Sequence, residues 1–139
     1  MNFQTRRRML LSEGKRRYIF RSGIAQIKHG EISRQKNVTV RVQNILIGST
    51  GYLSIKIDVT KYSKLFIEIK MLENVASGTT YGIGNTNDTF IMNDIADTAT
   101  GTTKEFNISS IIGEKYINFV ASDSVGSTNT YITNVWMEK

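Results

Sequence analysis

Three groups of side chains in this sequence have the types and spacing to do chemistry: clustered arginines near the start, aromatic residues on alternating runs, and an amide-rich acidic middle. Arg6, Arg7 and Arg8 stand in a row, and Arg16 and Arg17 follow Lys15. A guanidinium fork pairs bidentately with carboxylate or phosphate and gains most where an interface excludes water. Phe3, Leu10 and Leu11 add apolar contacts that a solvated tail does not need. The run therefore reads as a docking arm, with Phe3, Arg6, Arg7, Arg8, Leu10, Leu11, Arg16 and Arg17 as its anchoring residues; the alternative is a solvated tail. Nucleic acid is not the expected partner, because the arm lacks interleaved aromatics for base stacking and no recognition helix is evident.

Trp136 is the single tryptophan, on a run that alternates from Tyr131 to Glu138. An indole face can stack on the apolar side of a pyranose, and it can equally fill a core. Tyr81 and Tyr131 carry the same two readings, so Tyr81, Tyr131 and Trp136 are the candidate glycan contacts. None of the remaining residues points to catalysis, and neither do these. His29, the only histidine, precedes Gly30 and has no triad partners near it in sequence. Asp88, Asn93, Asp94 and Asp97 offer oxygen ligands without the spacing of a calcium loop. Gly82 and Gly84 are not followed by the Lys-Ser/Thr pair that grips phosphate, and read as a turn. Glu68 and Glu73 read as solvated residues at a strand end rather than a glycosidase pair. The expectation is a non-enzymatic protein with no metal and no cofactor.

These side chains have to be held by β structure. The chain has 139 residues, 40% of them apolar and 22% charged, which fits one globular domain. Val38–Val42 alternates at the strand period and is expected half buried. Gly51–Val59 places Leu53, Ile55, Ile57 and Val59 on one face, and 65–71 places Leu65, Ile67, Ile69 and Met71 inward. Shorter strands are expected at 18–20, 25–28, 80–83, 89–92, 105–109, 116–122 and 131–138, separated by Gly, Asn, Asp and Ser, since the sequence has no proline. Eight to ten short strands predict an all-β sandwich, most simply a jelly roll. The arm has a helical pattern that Gly14 interrupts, so any helix there is short.

Charge divides the same way. Residues 1–47 hold eleven Lys/Arg against Glu13 and Glu31, a net of +9, and residues 48–139 hold seven against ten, a net of −3. The division expected is a basic anchoring arm at 1–30 and a β-sandwich at 31–139. No stretch approaches the ~20 apolar residues of a membrane span, and no secretory signal is recognised at the start. With no cysteine there is no disulfide framework.

Ile57-Asp58-Val59-Thr60-Lys61-Tyr62-Ser63-Lys64-Leu65, with the runs 106–110, 116–121 and 131–138, resembles carbohydrate-binding-module-like jelly rolls at the ends of phage and prophage proteins of Gram-positive hosts. The opening Phe3-Gln4-Thr5-Arg6-Arg7-Arg8-Met9-Leu10-Leu11 is similar to the start of short phage structural proteins encoded with tail and fibre genes. The resemblance implies a virion structural protein made in the bacterial cytoplasm. Its arm would dock on other virion proteins, and its sandwich would project as a fibre, collar, baseplate or capsid-surface element in multiple copies or as a homo-oligomer, touching cell-wall glycans. Two alternatives are a free carbohydrate-binding module and a nucleic-acid-associated basic protein.

Overall fold

The computed structural model describes residues 15–121 and 129–139. Within them run nine strands: β1 (Arg16–Arg21), β2 (Glu31–Val40), β3 (Ile45–Asp58), β4 (Lys64–Met71), β5 (Thr79–Gly84), β6 (Met92–Ala96), β7 (Gly101–Asn107), β8 (Glu114–Ala121) and β9 (Thr130–Glu138). All the pairings among them are antiparallel. The expected β-sandwich is the fold. Phe3, Arg6, Arg7, Arg8, Leu10 and Leu11 lie outside the described residues.

The long strand β3 serves both leaves. Its second half, Tyr52–Asp58, pairs with β8, and its first half, Ile45–Ile47, pairs with β9. One leaf is therefore β6-β5-β8-β3, and the other is β3-β9-β4-β7, with β1 beside β9. β2 follows β3 around the corner, with a register shift between Lys36 and Val38. The alternation seen in the sequence supplies the filling: Leu53 faces the level of Phe119 and Tyr81, Ile55 that of Ile117 and Ile83. Opposite them, Leu65, Ile67 and Ile69 lie in register with Met137, Val135 and Ile132. All of these residues are buried in one continuous apolar cluster, to which β1 adds Ile19 and Phe20.

Several local expectations need correction. Val38–Val42 is half buried only at its start: Val38 packs against the core, but β2 pairs only with β3, and Val40 and Val42 are exposed. Residues 25–28 form no strand, because the chain turns at Gly23 (φ +94°) and comes back so that Lys28 N–H donates to the Ile19 carbonyl. The strand expected at 89–92 forms at Met92–Ala96 instead. Gly82 and Gly84 do not make a turn; they lie in β5, where a Cβ would run into the backbone of Met92 and Thr89. β1 begins inside the stretch expected as arm, and its Ile19 and Phe20 belong to the core.

The Asp58-Val59-Thr60 stretch is structural. Asp58 Oδ1 accepts from Thr60 N at 2.9 Å and from Thr60 Oγ1 at 2.6 Å, closing β3 with an Asx turn. These two bonds stabilise the ionised form and hold the Asp58 carboxyl below its ordinary range. Asn107 and Ser109 repeat the device after β7, at 3.0 and 2.7 Å.

Candidate functional site

On the outer face of the β6-β5-β8-β3 leaf the 85–91 loop roofs the part around Asn118, while the row of Ile95, Thr80, Val120 and Tyr52 is exposed or half exposed. Asn118, fully buried, donates through Nδ2 to the carbonyls of Thr86 (3.0 Å) and Thr89 (2.8 Å), and its Oδ1 accepts from Ser54 Oγ at 2.6 Å. Ion pairing of Arg34 with Asp88 and a Ser33–Asn87 hydrogen bond of 2.8 Å fasten the loop's far side. The outer face of β9, β4 and β7 carries no such roof among the described residues.

Register gives that open face its rows. Tyr18, Trp136 and Phe66 are direct cross-strand neighbours on β1, β9 and β4. Phe66 stacks on Trp136 with ring centres 4.9 Å apart and planes 7° apart, and Tyr18 lies 5.8 Å from the indole at 37°. Because β4 and β1 flank β9 on opposite sides, one face of the indole meets Phe66 and the other meets Arg16, whose guanidinium carbon is 5.3 Å from the ring centre. Trp136 Nε1 donates to Glu138 Oε2 at 3.1 Å. With both faces covered and 9% of the residue exposed, Trp136 is the middle of an upright stack, not a flat platform for a sugar.

The next row is polar. Glu68 Oε1 accepts from Thr133 Oγ1 at 2.7 Å and from Asn134 Nδ2 at 3.0 Å, and Asn134 Oδ1 accepts from Ser22 N–H at 2.9 Å. Glu68 is thus half buried and bonded rather than solvated. A bulge between Glu68 and Ile69 opens the ladder here. Beside it, Glu68, Lys70, Gly101, Thr103 and Thr133 line a cleft of about 260 Å³. Tyr131, in register with Lys70, stands half exposed on the same sheet face, beyond the end of this row. The cleft therefore offers carboxylate, ammonium and hydroxyl groups together, the set that pairs with vicinal hydroxyls.

Tyr131 and Trp136 thus share one face. Tyr81 does not join them: it is buried on β5, edge-on to Phe106 at 6.1 Å, and is a core residue rather than a glycan contact. Of the anchoring residues, Arg16 sits over Trp136, and Arg17 Nε donates to Tyr62 Oη at 3.1 Å, so both make contacts within the domain. Asp88 pairs with Arg34, and Asp94 lies 3.7 Å from Lys104. Sequence reasoning missed Glu68, Thr133 and Asn134 as a group. Alternation could place Glu68 on the outer face, but only the pairing of β4 with β9 brings the three together.

No family model and no curated protein matches the sequence. Solved carbohydrate binding modules of family 29 share its fold. One, a mutant form, aligns over 88% of this chain and 89% of its own with a TM-score of 0.58 and 13% identity. A second covers 88% and 91%, with a TM-score of 0.57 and 14% identity. A third, complexed with cellulohexaose, covers 88% and 89% at 0.54 and 13%. At these identities the likeness is one of fold.

Proposed function

We propose that this chain is a non-catalytic carbohydrate-binding module that holds a glycan across the outer face of β9, β4 and β7. The observation that carries the reading is the cleft at the bulge of β9 against β4, where Glu68, Lys70, Thr103 and Thr133 converge on the same face as Phe66 and Tyr131. One oxygen of Glu68 is taken by Thr133 and Asn134, which orients the carboxylate and leaves Oε2 to accept from a sugar hydroxyl. Lys70 donates from the exposed side. Tyr131 and Phe66 supply apolar ring surface for the C–H side of a pyranose. The shared fold supports this reading over a purely architectural role. A virion setting is carried only by sequence resemblance, that of residues 3–11 and of the runs at 57–65, 106–110, 116–121 and 131–138.

The test is affinity electrophoresis and calorimetry of the full chain against neutral β-linked hexasaccharides of glucose and mannose. Glu68→Ala and Tyr131→Ala should each weaken binding about tenfold, the cost of one charge-assisted hydrogen bond or one stacked ring, with the circular dichroism of the sandwich retained. Unchanged affinity in both variants, or no binding of any glycan by the parent chain, would overturn the proposal.

A further inference from the structure

Behind β1 the chain makes a second concavity. The turn at Ser22-Gly23 is tied by Ile24 N–H to the Arg21 carbonyl, and Lys28 N–H then docks on the Ile19 carbonyl at 2.7 Å. His29 takes a left-handed backbone (φ +56°), which carries the chain away toward β2. The loop so formed encloses, with β1, a cleft of about 220 Å³. Five of its lining residues are Arg16, Arg17, Arg21, Lys28 and His29, none is acidic, and Ile19 and Ile24 add an apolar portion.

Three of these cations, Arg16, Arg17 and Arg21, are held in place, and of the three only Arg16 meets a carboxylate among the described residues. The Arg21 guanidinium lies 4.8 Å from the Tyr18 ring centre, Arg16 covers Trp136, and Arg17 is fixed through Nε to Tyr62. Arg16 has only a 3.9 Å contact with Glu138, and no carboxylate of the described residues comes within 4.0 Å of Arg17, Arg21 or Lys28. Burial, then the charges of Arg17 and Lys28, hold His29 below its ordinary pKa, as expected where positive groups crowd without a counter-ion. Forked donors fixed in advance around a cleft lose little entropy when an anion enters. Arg16 and Tyr18 line this cleft and also border the aromatic row, so a polymer lying across β4 and β9 runs into it.

We propose that the cleft between β1 and the 22–30 loop is a subsite for an acidic sugar, a residue carrying carboxylate or sulfate, on the glycan that crosses the open face. The proposal rests on the carbohydrate-binding reading. Titration calorimetry of the full chain would compare a hexagalacturonate, a sulfated hexasaccharide and a neutral hexasaccharide. The acidic ligands should bind at least tenfold more tightly at low salt and lose that advantage as salt rises. The hexagalacturonate and the sulfated arm separate carboxylate from sulfate recognition. Lys28→Glu, at an exposed position, should cut acidic binding about tenfold and leave neutral binding unchanged, and Lys28→Arg should keep both. Neutral and acidic ligands bound equally, or Lys28→Glu without effect, would overturn this subsite alone. No binding of any saccharide would overturn the carbohydrate reading and the subsite with it. A single-stranded DNA oligonucleotide bound as tightly as the hexagalacturonate would make the cleft a general polyanion contact and overturn it as a sugar subsite.

Discussion

A phenol in the core answers to pH differently from one on the surface, and Tyr81 is such a phenol. Burial, followed by the negative charge of Asp94, pushes its pKa up to about 12. The folded state therefore keeps its proton where the unfolded chain, titrating near pH 10, gives it up. Stability from this group is fully present below about pH 10 and is lost as pH rises toward about 12, on the order of 2 kcal/mol in all. Tyr81→Phe should abolish that part of the alkaline slope, read as the difference between the two proteins in urea midpoints between pH 9 and 12; equal slopes would refute it. Residue type alone placed Tyr81, Tyr131 and Trp136 on one footing, since each is a ring on a short alternating run. What separates them is which strand lies alongside: Phe119 beside Tyr81, Lys70 beside Tyr131, Phe66 beside Trp136. Those are contacts across the chain, and local sequence does not encode them. Glu68 was hidden for the same reason.

At the scale of elements, the corner between β2 and β3 makes the sandwich from what would otherwise be one sheet. Strands change leaf where bulges and bends let them, and here both turn together: Asn37 and Thr50 each have φ +56°. Close approach demands glycine beside them, since a Cβ on Gly51 would lie 2.9 Å from the carbonyl oxygens of both Gly48 and Lys36. Asn37 tolerates the left-handed region, whereas a β-branched threonine there is strained. Thr50 is exposed, so its replacement disturbs no packing. Thr50→Asn should raise stability by about 1 kcal/mol, given a strain of roughly 1–3 kcal/mol at such positions, seen as a higher denaturant midpoint at unchanged m-value; a lower midpoint would count against strain at the corner. The strands with clean alternation, β3 from residue 51 and β4, were legible from sequence. The 45–47 half of β3 and the exposure of β2 were not, because alternation gives a strand two faces without saying what covers either.

For the whole molecule, the jelly-roll class was readable because repeated short strands with turn residues leave few other ways to bury one face each. The division between arm and body was harder to read, because charge and fold part company at β1: the strand that carries Arg16, Arg17 and Arg21 also carries Ile19 and Phe20, exposed by 0% and 1%. β1 covers one side of β9 along Asn134–Glu138, and Trp136 depends on it for Tyr18 and Arg16. Burial of two large apolar side chains contributes about 3–6 kcal/mol, a large part of the roughly 5–15 kcal/mol available to a domain. Removing residues 1–21 should therefore leave a chain that is mostly unfolded or aggregated at 25 °C, because β9 would then present a bare, apolar edge. Ile19→Ala in the full chain isolates the packing contribution and should cost about 2–5 kcal/mol, measured by urea denaturation. A truncated chain as stable as the parent would show that β1 is an appendage after all. If the loss is as expected, the basic segment from residue 16 onward cannot be withdrawn to serve a partner without unfolding the body, and its arginines act from the surface of the sandwich.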